Sequence, residues 1–303
     1  MQRKRVLVRI FSIALVLIGC GFIYYLLEKD WAMFVRSVTE VDKALFGVSV
    51  VLGLLANLMA AHFYVFLLRG HHGPVSWQPL CRIFLLSQLV RYVPGKVWSY
   101  LYQMGALPAG ISKTTIVLTN VEMSLISMLV ISGASLAAFF WPGAVLLLCV
   151  VLGLATLISL AYRSGALDRV LNRLAFALDR LGVKHLARRP YDQAHMITII
   201  TSWVVLVFVA LIVALQAIWP LSTSESIFYA ACLGLSWIVS ALVFFVPVGI
   251  GVRETGFVAL GLIAGGVLDG GQLATTAIIL RFWQLSVDVL SGACGIIVDH
   301  NRE

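Results

Sequence analysis

The sequence predicts an all-α, polytopic membrane protein, and three observations carry that prediction. Of its 303 residues, 61% are hydrophobic and 12% charged, whereas a soluble domain is about half apolar and about a quarter charged. The mean hydropathy is +0.98. The apolar residues gather in uncharged runs close to the length of about 20 residues that a spanning helix needs, with the basic residues collected between them. The net charge of +8 therefore reads as loop bias at a membrane surface rather than as a nucleic-acid footprint, and no nucleic-acid partner is expected. No stretch of ordinary polarity is long enough for a large soluble domain, so residues 1–303 read as a single integral membrane domain.

The first run, Ile10 to Leu27, follows a basic start and has no clear small-residue cleavage site, so it reads as a retained helix rather than a signal peptide. Ala44 to Leu68 is the second. Met123 to Tyr162 is long enough for two helices bent at Trp141-Pro142-Gly143. Met196 to Trp219, Ile227 to Val246 and Gln272 to Val298 complete the set. Two further regions, Ile83 to Ile111 and Ile250 to Leu268, are apolar but interrupted by proline, glycine or charge. The expectation is about seven or eight transmembrane helices plus re-entrant or broken ones.

Loop charge sets the orientation. Arg3, Lys4, Arg5 and Arg9, with no acidic residue among them, place the N-terminus in the cytoplasm. The loop from Glu28 to Lys43 has three basic and four acidic residues and suits the outside; Arg163 to His195 has seven basic and three acidic residues and suits the inside. Both termini are expected to be cytoplasmic. The 163–195 segment joins two halves, 1–162 and 196–303. Within it Leu167, Val170, Leu171, Leu174, Leu178 and Leu181 recur at helical spacing opposite Asp168, Arg169, Arg173 and Arg180. Two readings stand: an amphipathic helix on the membrane surface, or a solvated linker helix.

Each half holds one interrupted segment, "VRYVPGKVW" around Pro94 and "FFVPVGIGVRE" around Pro247. Paired interruptions of this kind point towards an inverted-repeat transporter with a central site. Pro94 and Gly95 end one half-helix and start another; Gly249 and Gly251 permit a tight bend before the next. A helix N-terminus exposes amides and a positive dipole end, which suits a phosphate or carboxylate. Arg91, Lys96 and Arg253 lie close by in sequence. The competing reading of each break is an interfacial turn with snorkelling cations.

Other ionisable residues lie deeper. Glu122 sits within an apolar stretch, where it either neutralises Arg253 or Arg281 or carries a coupling proton. Arg281, Gln284 and Asp288 share one helix face by their spacing, and Arg281 with Asp288 forms a self-contained pair in the competing reading. Charges within a membrane helix are costly and face a partner or a wet cavity. Asn57, His62 and Asn120 read as helix-packing polar groups, and His71-His72 as a loop pair without a metal role. The five cysteines, Cys20, Cys81, Cys149, Cys232 and Cys294, are scattered and read as small apolar filler. No cofactor or metal is expected.

"RYVPGKVW", then Gly110-Ile111-Ser112, then Glu122, then "PVGIGVRE" and the late Arg281 together resemble the flippase-like family, the transmembrane region of lysylphosphatidylglycerol synthases and their stand-alone relatives. The resemblance covers nearly the whole chain. It implies a multi-pass protein of the bacterial cytoplasmic membrane that moves or handles amphipathic lipids, with Arg91, Pro94, Gly95, Glu122, Gly249, Gly251, Arg253, Glu254 and Arg281 as matched positions. Many relatives follow the glutamate with Arg and then Asp, where Met123 and Ile126 stand here. The soluble aminoacyl-transferase domain of the full synthases is not in this sequence.

The function expected is a flippase or translocase for a phosphate-bearing lipid or lipid-linked intermediate. Arg91, Lys96, Arg253 and Arg281 would hold the phosphate, and Glu122, Glu254 and Asp288 would balance charge or take protons. The alternative is a membrane transferase, or an accessory subunit partnered with lipid or glycan biosynthesis enzymes. Against catalysis, the sequence shows no nucleotide-phosphate loop, metal triad or nucleophile–base set. A third reading, a structural membrane partner, would survive neutralising the intramembrane charges.

Overall fold

The computed structural model describes residues 31–90, 98–106, 111–165, 192–242 and 251–300. The run from Ile10 to Leu27, the amphipathic stretch of the linker, and Arg91, Pro94, Gly95, Lys96, Pro247 and Gly249 lie outside the described residues. Every regular element described is an α-helix. They are α1 (Trp31–Glu40), α2 (Lys43–His72), α3 (Trp77–Val90), α4 (Trp98–Gly105), α5 (Lys113–Phe140), α6 (Ala144–Arg163), α7 (Gln193–Ile218), α8 (Thr223–Leu242), α9 (Val252–Ile263) and α10 (Gly270–His300). Among the described residues five helices are long and apolar enough to cross a membrane: α2, α5, α6, α7 and α10 over Gly270–Ile296. The chain is a multi-pass membrane protein.

Short polar side chains set the helix starts by accepting first-turn amides that have no intrahelical partner. Asp42 Oδ1 accepts from Ala44 and Leu45 at 2.9 and 3.0 Å. Ser112 Oγ accepts from Thr115 at 3.1 Å, and Asp192 Oδ1 from Ala194 at 3.1 Å. The helix bounds correct three expectations. The 28–43 loop contains the helix α1. The helix holding Glu122 begins at Lys113, ahead of the uncharged run at Met123. His71 and His72 belong to the last turn of α2, not to a loop; α2 runs through Gly70 and stops at Gly73, where φ is 101° and only glycine is unstrained.

α2 and α7 pack antiparallel along their length. The Asp42 amide donates to the Ala217 carbonyl at 2.9 Å at one end, and the rings of His62 and His195 meet at the other. α10 lies across α2 at Gly53, where a β-carbon would stand 2.7 Å from Val287 and 2.9 Å from Trp283; small residues let membrane helices approach this closely. The later part of α10 packs on α3, with Gly292 against Leu89. α8 meets α5 where Gly234 faces Ser135, and α9 folds back along α8, the Tyr229 hydroxyl accepting from the Leu268 amide at 2.8 Å. Outward faces carry exposed apolar residues such as Phe140, Val145 and Ile263, as lipid contact requires.

Four of the described helices are shorter than the core: at 1.5 Å per residue the described lengths of α1, α3, α4 and α9 are about 15, 21, 12 and 18 Å, against a hydrocarbon core of about 30 Å. Gln103 of α4 donates to Ser87 Oγ at 2.9 Å, so α4 lies back alongside α3 rather than extending it.

Candidate functional site

The short helix α9 presents its first turn to the middle of α10. Gly251 precedes it with φ of 82°, a left-handed value that glycine alone adopts freely. Glu254, three residues on, folds back so that Oε2 accepts the Gly251 amide at 2.8 Å. The other oxygen, Oε1, lies 3.4 Å from Arg281 Nη1 on α10. One turn further along α10, Gln284 Oε1 accepts from Arg253 Nη1. Arg253, Glu254 and Arg281, with Leu233, Ala277 and Leu280, line a narrow cleft with space for about one water molecule. Arg281 sits about 16 Å along α10 from Gly270, near the middle of the apolar span Gly270–Ile296.

Two cations and one carboxylate thus meet at a helix N-terminus whose dipole is itself positive. Glu254 occupies the place an anion prefers at such a terminus, and supplies it from within the chain. Such an arrangement can hold an anion, and the anion it holds here is the Glu254 carboxylate.

Asp288 lies about one turn beyond Gln284 and is buried. It accepts from Asn57 Nδ2 of α2 at 3.2 Å, and the same amide reaches Ser291 Oγ at 3.0 Å. The expected single face of Arg281, Gln284 and Asp288 is therefore divided between two neighbours. α9 is short enough to cover only the first half of α10, and α2 covers the stretch around Asp288.

Glu122 forms a separate cluster. Its carboxylate is fully enclosed, accepting from His71 Nε2 at 2.6 Å through Oε2 and from the Tyr162 hydroxyl through Oε1. The last turns of α2 and α6 deliver His71 and Tyr162 to it. A third polar ladder joins α3, α4 and α5, where Gln103 links Ser87 to Asn120, which donates to Gln103 Oε1 at 2.7 Å.

Of the residues singled out from sequence, Arg253, Glu254, Arg281 and Gly251 meet at the cleft. Glu122 and Asp288 are held elsewhere, and Arg91, Lys96, Pro94, Gly95, Pro247 and Gly249 lie outside the described residues. Sequence reasoning missed His71 and Tyr162. Each partner of Glu122 comes from a different helix, and no local spacing announces such a meeting. Among the described residues, no group of three or more His, Cys, Asp or Glu side chains is placed to hold a metal ion, and Cys81, Cys149, Cys232 and Cys294 are free thiols. No protein-family model and no curated protein sequence matches this chain.

Proposed function

We infer that the protein is a translocase for a phosphate-bearing lipid or lipid-linked intermediate, working in the bacterial cytoplasmic membrane. The observation that carries this reading is the meeting of Arg253, Arg281 and the first turn of α9 within the apolar span of α10. Cationic groups within a membrane helix are costly and mark ligand or ion pathways, and broken helices with inward N-termini serve as anion sites in transporters. In this reading the Glu254 carboxylate is the resting counter-anion, and the headgroup phosphate takes its place against Arg281 and the α9 terminus. Arg91 and Lys96 would complete the phosphate site from the other break, Asp288 would hold α10 against α2, and Glu122 would exchange protons as the site changes charge. The full count of about seven or eight crossings and an inverted relation between halves 1–162 and 196–303 belong to the same reading.

The test is reconstitution into liposomes with fluorescent lipids of several headgroups, following exchange between leaflets. Wild type should exchange a phosphate-bearing lipid, and Arg253→Ala should slow exchange while leaving insertion intact. Equal exchange by Arg253→Ala would remove the site assignment. No exchange of any lipid by folded wild type would remove the translocase reading and leave the accessory-subunit alternative.

A further inference from the structure

Away from the cleft, three aromatic side chains join α2, α3 and α7. The Trp77 indole N–H, on the first residue of α3, donates to His62 Nδ1 at 3.0 Å. His62 Nε2 stands 3.2 Å from His195 Nε2, with the rings edge to face. An indole nitrogen only donates, so His62 Nδ1 carries no proton. A neutral His62 therefore holds its proton on Nε2 and gives that hydrogen bond to His195, whose own proton lies on Nδ1. One assignment of protons satisfies the whole chain, and it requires both imidazoles to be neutral.

We propose that His62 and His195 form a proton-binding site whose protonation releases Trp77, and with it the start of the α3/α4 hairpin. A first added proton on His62 puts an N–H on Nδ1, directly against the Trp77 N–H; the contact between the histidines survives and the tryptophan bond is lost. A first proton on His195 gives the same result, because His62 must then accept through Nε2 and move its own proton to Nδ1. A second added proton opposes two N–H groups across the histidine pair as well. Of the charged groups around the pair, Arg69 of α2 repels a cation and the first turn of α7, which holds His195, is the positive end of that helix, while Asp192 carries the opposing charge. Asp192 caps the same turn, with Oδ1 engaged by the Ala194 amide. Imidazole is the side chain whose ordinary protonation falls between about pH 5 and 8, and Trp77 and His195 are exposed in the first turns of their helices. A metal ion shared by the two Nε2 atoms would demand a proton on His62 Nδ1, the reverse of what Trp77 imposes. The consequence for the proposed translocase is an acid-sensitive tether on the α3/α4 hairpin. The tether itself stands whether or not lipid is moved.

The experiment uses the full chain in lipid nanodiscs. Nitrogen-15 histidine spectra, assigned by single His→Gln variants, should find His62 protonated on Nε2 alone and His195 on Nδ1 alone at about pH 7.5, above the ordinary imidazole value of about 6.5. His62 protonated on Nδ1 would overturn the proposal. Hydrogen exchange over 77–90, corrected for intrinsic rates, should quicken about fivefold between about pH 7.5 and about pH 4.5, the effect of one neutral hydrogen bond. Trp77→Phe should show the faster exchange at both values. His62→Gln, which still offers an acceptor but does not titrate, should remain slow at both. A wild type without the pH step, or a Trp77→Phe variant that keeps it, would overturn the proposal. Lipid exchange is not part of any of these readouts, so failure of the translocase reading would leave them standing.

Discussion

Arg281 lies 3.4 Å from Glu254, and the same glutamate holds the Gly251 amide at 2.8 Å. A single carboxylate therefore fixes both the start of α9 and the charge at the middle of α10. The two duties separate by substitution. Glu254→Gln keeps an oxygen for the amide and loses the ion pair; Glu254→Leu loses both. The pair is partly screened, with the arginine side chain 22% exposed, so Glu254→Gln should cost about 2 kcal/mol and Glu254→Leu about 1 kcal/mol more. Thermal unfolding in detergent reads the order; Glu254→Gln equal to Glu254→Leu would mean the amide bond adds nothing.

Asn57 and Asp288 offer a cleaner pair. Replacing either with Ala removes their 3.2 Å contact, and a double-mutant cycle should return a coupling of about 1 kcal/mol, the scale of polar contacts between membrane helices. Strict additivity of the two losses would mean the contact does not form.

Enlarging Gly53 tests the α2–α10 approach. A β-carbon there meets Trp283 and Val287 inside 3 Å, so Gly53→Leu should destabilise by about 3 kcal/mol and Gly53→Ala by less. Gly47, with nothing within 4 Å of its would-be β-carbon, is the control, and Gly47→Ala should change stability little. Equal effects at the two positions would count against the packing.

The Glu122 cluster should respond in steps. Tyr162→Phe removes one hydrogen bond to the carboxylate and should cost about 1 kcal/mol, whereas Glu122→Ala removes the acceptor of both Tyr162 and His71 and should cost about 3 kcal/mol. Unfolding midpoints of the two variants check the order, and a Tyr162→Phe protein less stable than Glu122→Ala would reverse it.

The helical class and most spans are legible because uncharged runs report the cost of exposing polar groups to lipid. The same rule misplaces helix starts. Thr115, Thr119 and Glu122 are buried polar residues inside α5, and a rule that reads polarity as an edge starts the helix after them. Their cost is offset by partners on other helices or by the backbone of their own, as with Thr119 donating to the Thr115 carbonyl. The "RGHHG" stretch reads as a loop for a related reason: Gly70 suggests an end, while α2 continues under tertiary packing to Gly73. The spacing of Arg281, Gln284 and Asp288 is readable, but their partners depend on where α9 ends. That is fixed by the turn at Gly265, with φ of 69°. Histidine, tryptophan and glutamate partners contributed by separate helices leave no local trace in sequence.

The α2–α7 pair carries a mechanical implication. Its two fastenings, Asp42 to Ala217 and His62 to His195, are about 30 Å apart along α2, the thickness of the hydrocarbon core itself. Contacts that far apart along the pair resist sliding of α2 past α7 more than either one would alone.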